Sequence, residues 1–559
     1  MSTSQSTPTA AKIADVIDTT QDSDGQEESE DEQIEAQDQN EPTGSSSNKK
    51  KKKKKRSKAL KVLNSLTGKS DEIPQAVVDK VLETVKASGV EGSEQADEEN
   101  VRQALEHMKI MDVVKGKAGI GGINKKQMGE HKFWATQPVP QLGEGPPLED
   151  GYIEPSKPRD EVRQDAYPLP NDFVWTMIDV NDPVQSKEVY DLLSLNYVED
   201  DDATFRFKYS AEFLEWALKP PGYHKEWHVG VRVKSNRKLV AFISGVPVKL
   251  RVRNHQFMAA EINYLCVHKK LRSRRLAPVL IKEVTRQVHL KGIFQAIYTG
   301  GVIIPTPVST CQSVRIPSMR SIDLSHPRYR YYHRSLNVSK LVEIRFSFVP
   351  RNTTLARMIR DNKLPEKPSI PGIREMEEKD VPQVTTLLSR YLDRFNMVPL
   401  YSPEEVAHQF LIGKGKGDLT PGSWRRDGQV TWAYVVENPE TKKITDFFSF
   451  YSLPSTIINN PSHSTLEAAY LYYYATDAAF QPRADEHGTL KQRLKELVGD
   501  ALIVARNAQF DVFNALTMMD NSPFLSPLKF GKGDGLLNFY LYNWRTAALD
   551  QNKVAVVMV

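Results

Sequence analysis

The chain has 559 residues, and 75 Lys and Arg stand against 71 Asp and Glu, a formal net charge of only +4; that balance excludes a uniformly basic nucleic-acid binder but not a local basic patch. Its 7 Trp, 21 Tyr and 21 Phe all lie at or after Phe133, so the first 132 residues lack the large side chains that best offset chain entropy on burial. Cys266 and Cys311 are the only cysteines, which excludes a disulfide framework and a Cys-based zinc site.

In chain order, the opening residues show no basic start followed by an apolar run, so no secretory signal is expected. From Asp15 to Glu41 there are twelve acidic residues and no basic one, and Lys49 to Arg56 is an unbroken run of eight cations. Like charges at this density repel and stay solvated, which predicts a disordered tail over residues 1–125. The lysine run reads as a contact with RNA phosphates, a ribosome or an anionic membrane, and equally as a solvated tail or a nuclear-localisation look-alike. Segments between Ser57 and Lys115 show helical apolar spacing but carry no chemistry.

Order is expected from His131-Lys132-Phe133-Trp134, followed by a Pro-rich extended arm. Val184 to Asn196 predicts a helix. Strands flank Ser235-Asn236, and Gly245 predicts a break before a third strand. EINYLCVH reads as a strand, Leu276 to Leu290 as a helix with Pro278 in its first turn, and FQAIYTGG as a strand. After Pro350 come a helical stretch from Glu375 to Phe395 and a hairpin around Asn438-Pro439. Helices over Leu466–Tyr474 and Leu490–Asn507 follow. FDVFNAL and FYLYNW read as strands around a Gly-rich turn, and VAVVMV as a buried final strand. Two successive mixed α/β units of about 200 residues predict an internal duplication. The longest uncharged stretch, Gly292 to Val314, is broken by glycines and prolines and is no membrane span, so a soluble, cytoplasmic protein is expected.

Arg272, Arg274 and Arg275 precede a helix whose first turn has no acidic residue. Helix N–H groups with arginines suit a pyrophosphate; the plainer reading is a solvated basic loop. The loop is similar to the R-x-x-x-x-A skeleton of the GNAT acetyltransferases, with Arg275 where many of them have Gly. Glu199 to Asp202 stand beside Phe205, Phe207 and Tyr209, which suits a cationic peptide or simply an acidic turn before a core strand. His268 and His333 are candidate general bases by residue type, though His268 after its alternating strand reads equally as a satisfied core or loop histidine, and Cys266 in its apolar strand is read as an inert buried thiol rather than a nucleophile.

HKFWATQPVP at 131–140, EINYLCVHKKLRSRRLAPVLIKE at 261–283, YTGGV at 298–302, YYHRSLN at 331–337 and FGKGDG at 530–535 together resemble the N-myristoyltransferase family of fungal type. The resemblance implies two fused GNAT-like halves related by a pseudo-twofold: an acyl-CoA-binding half over 126–350 and a peptide-binding half over 351–559. It implies transfer of a tetradecanoyl group from myristoyl-CoA, a co-substrate, to an N-terminal glycine, with no permanent cofactor and no metal. His131, Lys132, Phe133 and Trp134 would fold over myristoyl-CoA; Leu265, Cys266 and Val267, with Ser273, Arg274, Arg275, Leu276 and Ala277, would hold its pantetheine and phosphates. The backbone N–H groups of Tyr264 and Leu265 would form the oxyanion hole, and Asn263 and Thr299 would bind the substrate ammonium. Tyr197, Phe205, Phe207, Tyr209, Tyr331, His333 and Ser449 would line the peptide groove, and Asp200 and Asp202 would take a basic peptide residue. The carboxylate of Val559 would accept the proton.

One departure from the family stands out: about eighteen extra residues, SVRIPSMRSIDLSHPRYR, separate Gln312 from Tyr331, a length loops absorb at modest entropic cost. The insert is either a lineage-specific loop or a translated intron. Rival functions are a short-chain GNAT acetyltransferase and a ribosome- or RNA-associated binding protein. A monomer is expected.

Overall fold

The computed structural model describes residues 133–559 apart from 142, 143, 146, 199–203, 302, 303, 305, 310–329, 421, 459 and 484–487. The expectations for the charged tail, His131, Lys132, Asp200, Asp202 and most of the insert therefore fall outside the described residues.

Seventeen strands are described: β1 Phe173–Met177, β2 Phe205–Phe207, β3 His228–Val233, β4 Leu239–Val252, β5 His255–Val267, β6 Gln295–Gly300, β7 Arg330–Ser335, β8 Ile373–Glu375, β9 Met397–Pro399, β10 Thr431–Glu437, β11 Ile444–Ser452, β12 Ser455–Ile457, β13 Thr465–Leu466, β14 Ala468–Thr476, β15 Val512–Leu516, β16 Gly531–Leu536 and β17 Asn538–Tyr542. Helices α1 Pro183–Asn196, α2 Ala211–Leu218, α3 Leu276–His289, α4 Val338–Glu343, α5 Leu355–Asn362, α6 Val381–Leu392, α7 Pro403–Leu411, α8 Thr489–Asn507 and α9 Ser522–Leu525 complete the count. Local chemistry sets several helix starts: Asp182 accepts from the Val184 N–H ahead of α1, and Ser402 with Glu405 forms a capping box on α7.

Three strands, β13-β12-β2, form a small sheet, and the other fourteen form two large sheets built alike. One runs β1-β3-β4-β5-β6-β17, with β9 added beside β4; the other runs β16-β7-β15-β14-β11-β10-β8. In each, every pair is antiparallel except one, β5 with β6 and β14 with β15. Each parallel pair is joined through a long helix, α3 or α8, as a parallel connection demands. Strands are exchanged between the sheets: β17, from the end of the chain, completes the first, and β7 joins the second between β15 and β16. This is the expected duplication in mixed α/β form. A continuous apolar core joins the sheets, from Phe242, Tyr264 and Cys266 to Phe448, Tyr474 and Val554–Val557.

Four expectations are corrected. Gly245 does not break β4, because a Cβ there would lie 3.2 Å from Ile262 and 3.5 Å from Trp227: glycine serves close packing and the strand runs through. Leu466–Tyr474 is not a helix; it enters β13 and β14, where its tyrosines sit in the middle of a sheet. The Gly-rich turn is strand β16, laid along β7. The last six residues are extended and mostly buried but form no strand, only a bridge between Val554 and Met397. Among the described residues no helix is long and apolar enough to cross a membrane.

Candidate active site

Phe242 on β4 pairs with Cys266 on β5, and Ser244 pairs with Asn263, so Tyr264 and Leu265 together stand opposite Ile243 alone. This is a β-bulge, which leaves the extra residue outside the ladder. Tyr264 adopts φ +56° to make it, a conformation rare for an aromatic residue. The second sheet repeats the device between Phe448–Tyr474 and Phe450–Leu471, with Ser449 opposite the extra residue. There the Ser449 hydroxyl donates to the Tyr473 carbonyl at 2.8 Å and accepts from its N–H at 3.1 Å. A serine closes the second bulge; isoleucine cannot close the first.

The open bulge borders an apolar cavity of about 830 Å³, its mouth included, whose lining includes Trp134, Ile243, Leu265, Val284, Phe294 and Tyr298. Trp134 stacks on Tyr298 at 5.3 Å, Tyr298 stacks on Tyr540 at 5.1 Å, and Phe133 meets Trp134 edge-on. The arm is pinned where Asn543 N–H donates to the Pro138 carbonyl and Thr306 N–H to that of Pro140. Trp134→Ala removes one aromatic pair and part of the cavity roof, and is expected to weaken long-chain acyl-CoA binding about tenfold by titration calorimetry.

At the entrance to α3, Ser273 and Arg275 both have positive φ, +62° and +57°. Arg275 thus occupies a left-handed position under strain, one that glycine would take freely. Arg272 does not join the anion site expected of three arginines: its guanidinium is tied to the Asn196 and Val267 carbonyls. Arg274 and Arg275 are exposed at the α3 N-terminus, Val267 is half-buried behind them, and Leu276 is buried under the loop beside Ala277. Burial pushes the Cys266 thiol up to about 12, which keeps it an inert thiol. His268 accepts from the Lys270 N–H and caps a surface turn.

Asn263 and Thr299 meet in the cavity lining beside the bulge. Tyr197, Tyr209 and Tyr264 form a cluster with ring centres 5.6 to 6.0 Å apart. Tyr197 and Tyr331 lie deep yet keep accessible surface, so they line an interior groove, and burial pushes both phenols up to about 12. Tyr209 is buried behind it, with Phe207 edge-on at 6.0 Å. Phe346 bridges Phe205 and His333 edge-on at 5.8 and 5.5 Å, and Asn514 Oδ1 fixes His333 Nδ1 at 2.6 Å. These rings thus lie near one another, while Ser449 is buried with its hydroxyl engaged by the Tyr473 backbone. Pairing of β7 with β15 sets Tyr331 against Leu516 and His333 against Asn514, so the register after the insert is defined. Gly533 is needed here, since a Cβ would lie 2.0 Å from His333 Nε2.

The chain's last residues approach the same place. Val554–Val557 are buried, the Tyr473 hydroxyl accepts from the Val557 N–H at 3.0 Å, and Met558 and Val559 are half-buried against the core. Sequence reasoning passed over Glu261, whose Oε1 accepts from Asn263 Nδ2 at 2.8 Å. Two polar residues at period two within the otherwise apolar run Phe257 to Val267 were the available signal. The Tyr264 hydroxyl is buried with no hydrogen-bond partner among the described residues. Tyr264→Phe is therefore expected to keep acyl transfer near its original rate and not lower the melting temperature.

Two bulged, strand-exchanged α/β halves, with the apolar cavity built on the first sheet, define a duplicated acetyltransferase-like fold. Residues 152–311 match the N-terminal domain of Myristoyl-CoA:protein N-myristoyltransferase and residues 343–557 its C-terminal domain, with the insert between the two matches. The glycylpeptide N-tetradecanoyltransferase of Mycosarcoma maydis is 45% identical over 87% of this chain and 76% of its own length. That of Aspergillus fumigatus is 50% identical over 81% of this chain and 85% of its own. The crystal structure of Saccharomyces cerevisiae N-myristoyltransferase with bound myristoyl-CoA superposes with TM-score 0.70 and 47% identity, covering 77% of this chain and all of that one. The chain belongs to the N-myristoyltransferase family.

Proposed function

We propose that this protein transfers a tetradecanoyl group from myristoyl-CoA to the α-amino group of an N-terminal glycine. The observation that carries the reading is the open bulge at Tyr264 and Leu265, placed where an apolar cavity meets an aromatic groove. The acyl chain lies in the cavity, each buried methylene contributing ~0.8 kcal/mol, and the α3 N-terminus with Arg274 and Arg275 takes the coenzyme A phosphates. Phe133 and Trp134 cover the thioester end. The thioester oxygen faces the two bulge N–H groups, which stabilise it as it gains charge.

The glycine ammonium rests against Asn263 and Thr299, and the Val559 carboxylate takes one of its protons. Free in water that transfer is about 6 kcal/mol uphill, from ~3.5 against ~8; burying both groups narrows the gap. The amine nitrogen then attacks the thioester carbon directly, the C–S bond breaks, and the departing coenzyme A thiolate takes the nitrogen's second proton, leaving as the thiol. Tyr197, Phe205, Phe207, Tyr331 and His333 hold the following peptide residues. We assign the acyl-CoA half to 126–350 and the peptide half to 351–559, place a monomer in the cytoplasm, and assign ribosome contact to the Lys49–Arg56 run.

Acetyl-, lauroyl-, myristoyl- and palmitoyl-CoA supplied with one Gly-peptide test the reading. Turnover should peak at myristoyl; a peak at two carbons would mean a short-chain acetyltransferase.

A further inference from the structure

Glu261 has no part in the reaction as set out above, yet it is placed within it. It lies deep in the molecule but keeps accessible surface, and its partner Asn263 lines the cavity. The titratable groups that face it are the phenols of Tyr264 on its own strand, of Tyr401 just after β9, and of Tyr472 and Tyr473 on β14. All are neutral, and no described cation acts on it. Burial accordingly pushes its carboxyl up to about 7, opposed only by the Asn263 amide. A deep carboxylate without a counter-charge is costly unless a cation arrives. The substrate ammonium is the cation this site receives. Geometry adds a second constraint: with Asn263 Nδ2 committed to Glu261, the free end of that amide is Oδ1, an acceptor suited to an ammonium. Tyr473, which faces Glu261, also holds the Val557 N–H, so one side chain borders both the carboxylate and the C-terminal segment.

We propose that Glu261 is a positioning residue, supplying the counter-charge for the glycine ammonium and fixing the Asn263 amide with its oxygen toward it. This rests on the N-terminal-glycine reading above. Where Glu261 ionises, the ammonium is held more tightly; below that range the carboxyl is neutral and the advantage disappears.

The test is peptide affinity in the presence of a non-hydrolysable myristoyl-CoA analogue, for wild type and Glu261→Gln. A Gly-peptide is compared with the same peptide bearing a hydroxyl in place of its terminal amine. Taking the ratio of wild-type to variant affinity cancels titrations common to both proteins. For the amine peptide the ratio should grow about tenfold between about pH 5.5 and about pH 7.5, the equivalent of one pKa unit, while the amine itself stays charged. For the hydroxyl peptide it should stay near one. A ratio constant with pH, or one that grows equally for both peptides, overturns the proposal. Should Glu261→Gln fail to bind the acyl-CoA analogue, wild type alone decides: its preference for amine over hydroxyl peptide must rise across that pH window. Wild-type protein that binds no Gly-peptide at any pH overturns the glycine reading itself, whereas a flat ratio overturns Glu261 alone.

Discussion

Deleting Met558 and Val559, or appending a short tag after Val559, is expected to lower the acyl-transfer rate at least ~100-fold, on the scale of losing a general base. Acyl-CoA binding should survive, because the anchors of this segment lie upstream of the deletion. Asn396 N–H donates to the Lys553 carbonyl, Met519 N–H to that of Val554, and Ala555 N–H to that of Met397, while Tyr473 holds Val557. The two deleted residues are half-buried and add little to the core. Val559→Leu should leave turnover within a few-fold, since the proposed proton acceptor is main chain and the side chain only fills space. Single-turnover measurements separate the outcomes: unimpaired chemistry in a C-terminally tagged enzyme would rule out the terminal carboxylate as base.

That a buried terminus can be read from sequence, while its surroundings cannot, shows where legibility ends. The run Val554 to Val559 announces burial by being apolar and β-prone, but not that a lone bridge to Met397 and a tyrosine hydroxyl would take the place of a strand ladder. The duplicated α/β pattern was readable from alternating periodicities; the exchange of β17 and β7 between sheets was not, because no local feature marks which sheet a strand joins. Leu466–Tyr474 misled because Leu, Glu and Ala favour helices locally, whereas its place between β11 and β15 decides. Motif resemblance led to Asn263, Thr299 and the bulge. Ser449 matched the same pattern but is committed to the second bulge, and Glu261 was missed because a single acidic residue opening an apolar strand reads as a strand end.

Replacing the Leu265 amide by an ester, through incorporation of the corresponding α-hydroxy acid, is expected to slow the chemical step 10²–10³-fold, the scale found for removal of one oxyanion-hole donor. This change deletes one N–H and keeps the side chain that lines the cavity. In an ordinary strand it would also cost a ladder hydrogen bond, but Leu265 has no partner across β4 in the pairing register, so the fold loses little. The same ester at Tyr473 makes the control. There the N–H donates to the Ser449 hydroxyl in the closed bulge, so stability should fall by about 1 kcal/mol with the rate per folded enzyme nearly unchanged. The contrast separates a bulge kept open for substrate from one sealed by its own serine. Acyl-CoA affinity should be nearly the same for the Leu265 ester and wild type, since an oxyanion donor acts mainly on charge that develops in the transition state. A Leu265 ester with unchanged single-turnover rate would remove this N–H from the mechanism, and equal slowing at both positions would assign the effect to the backbone rather than to the oxyanion.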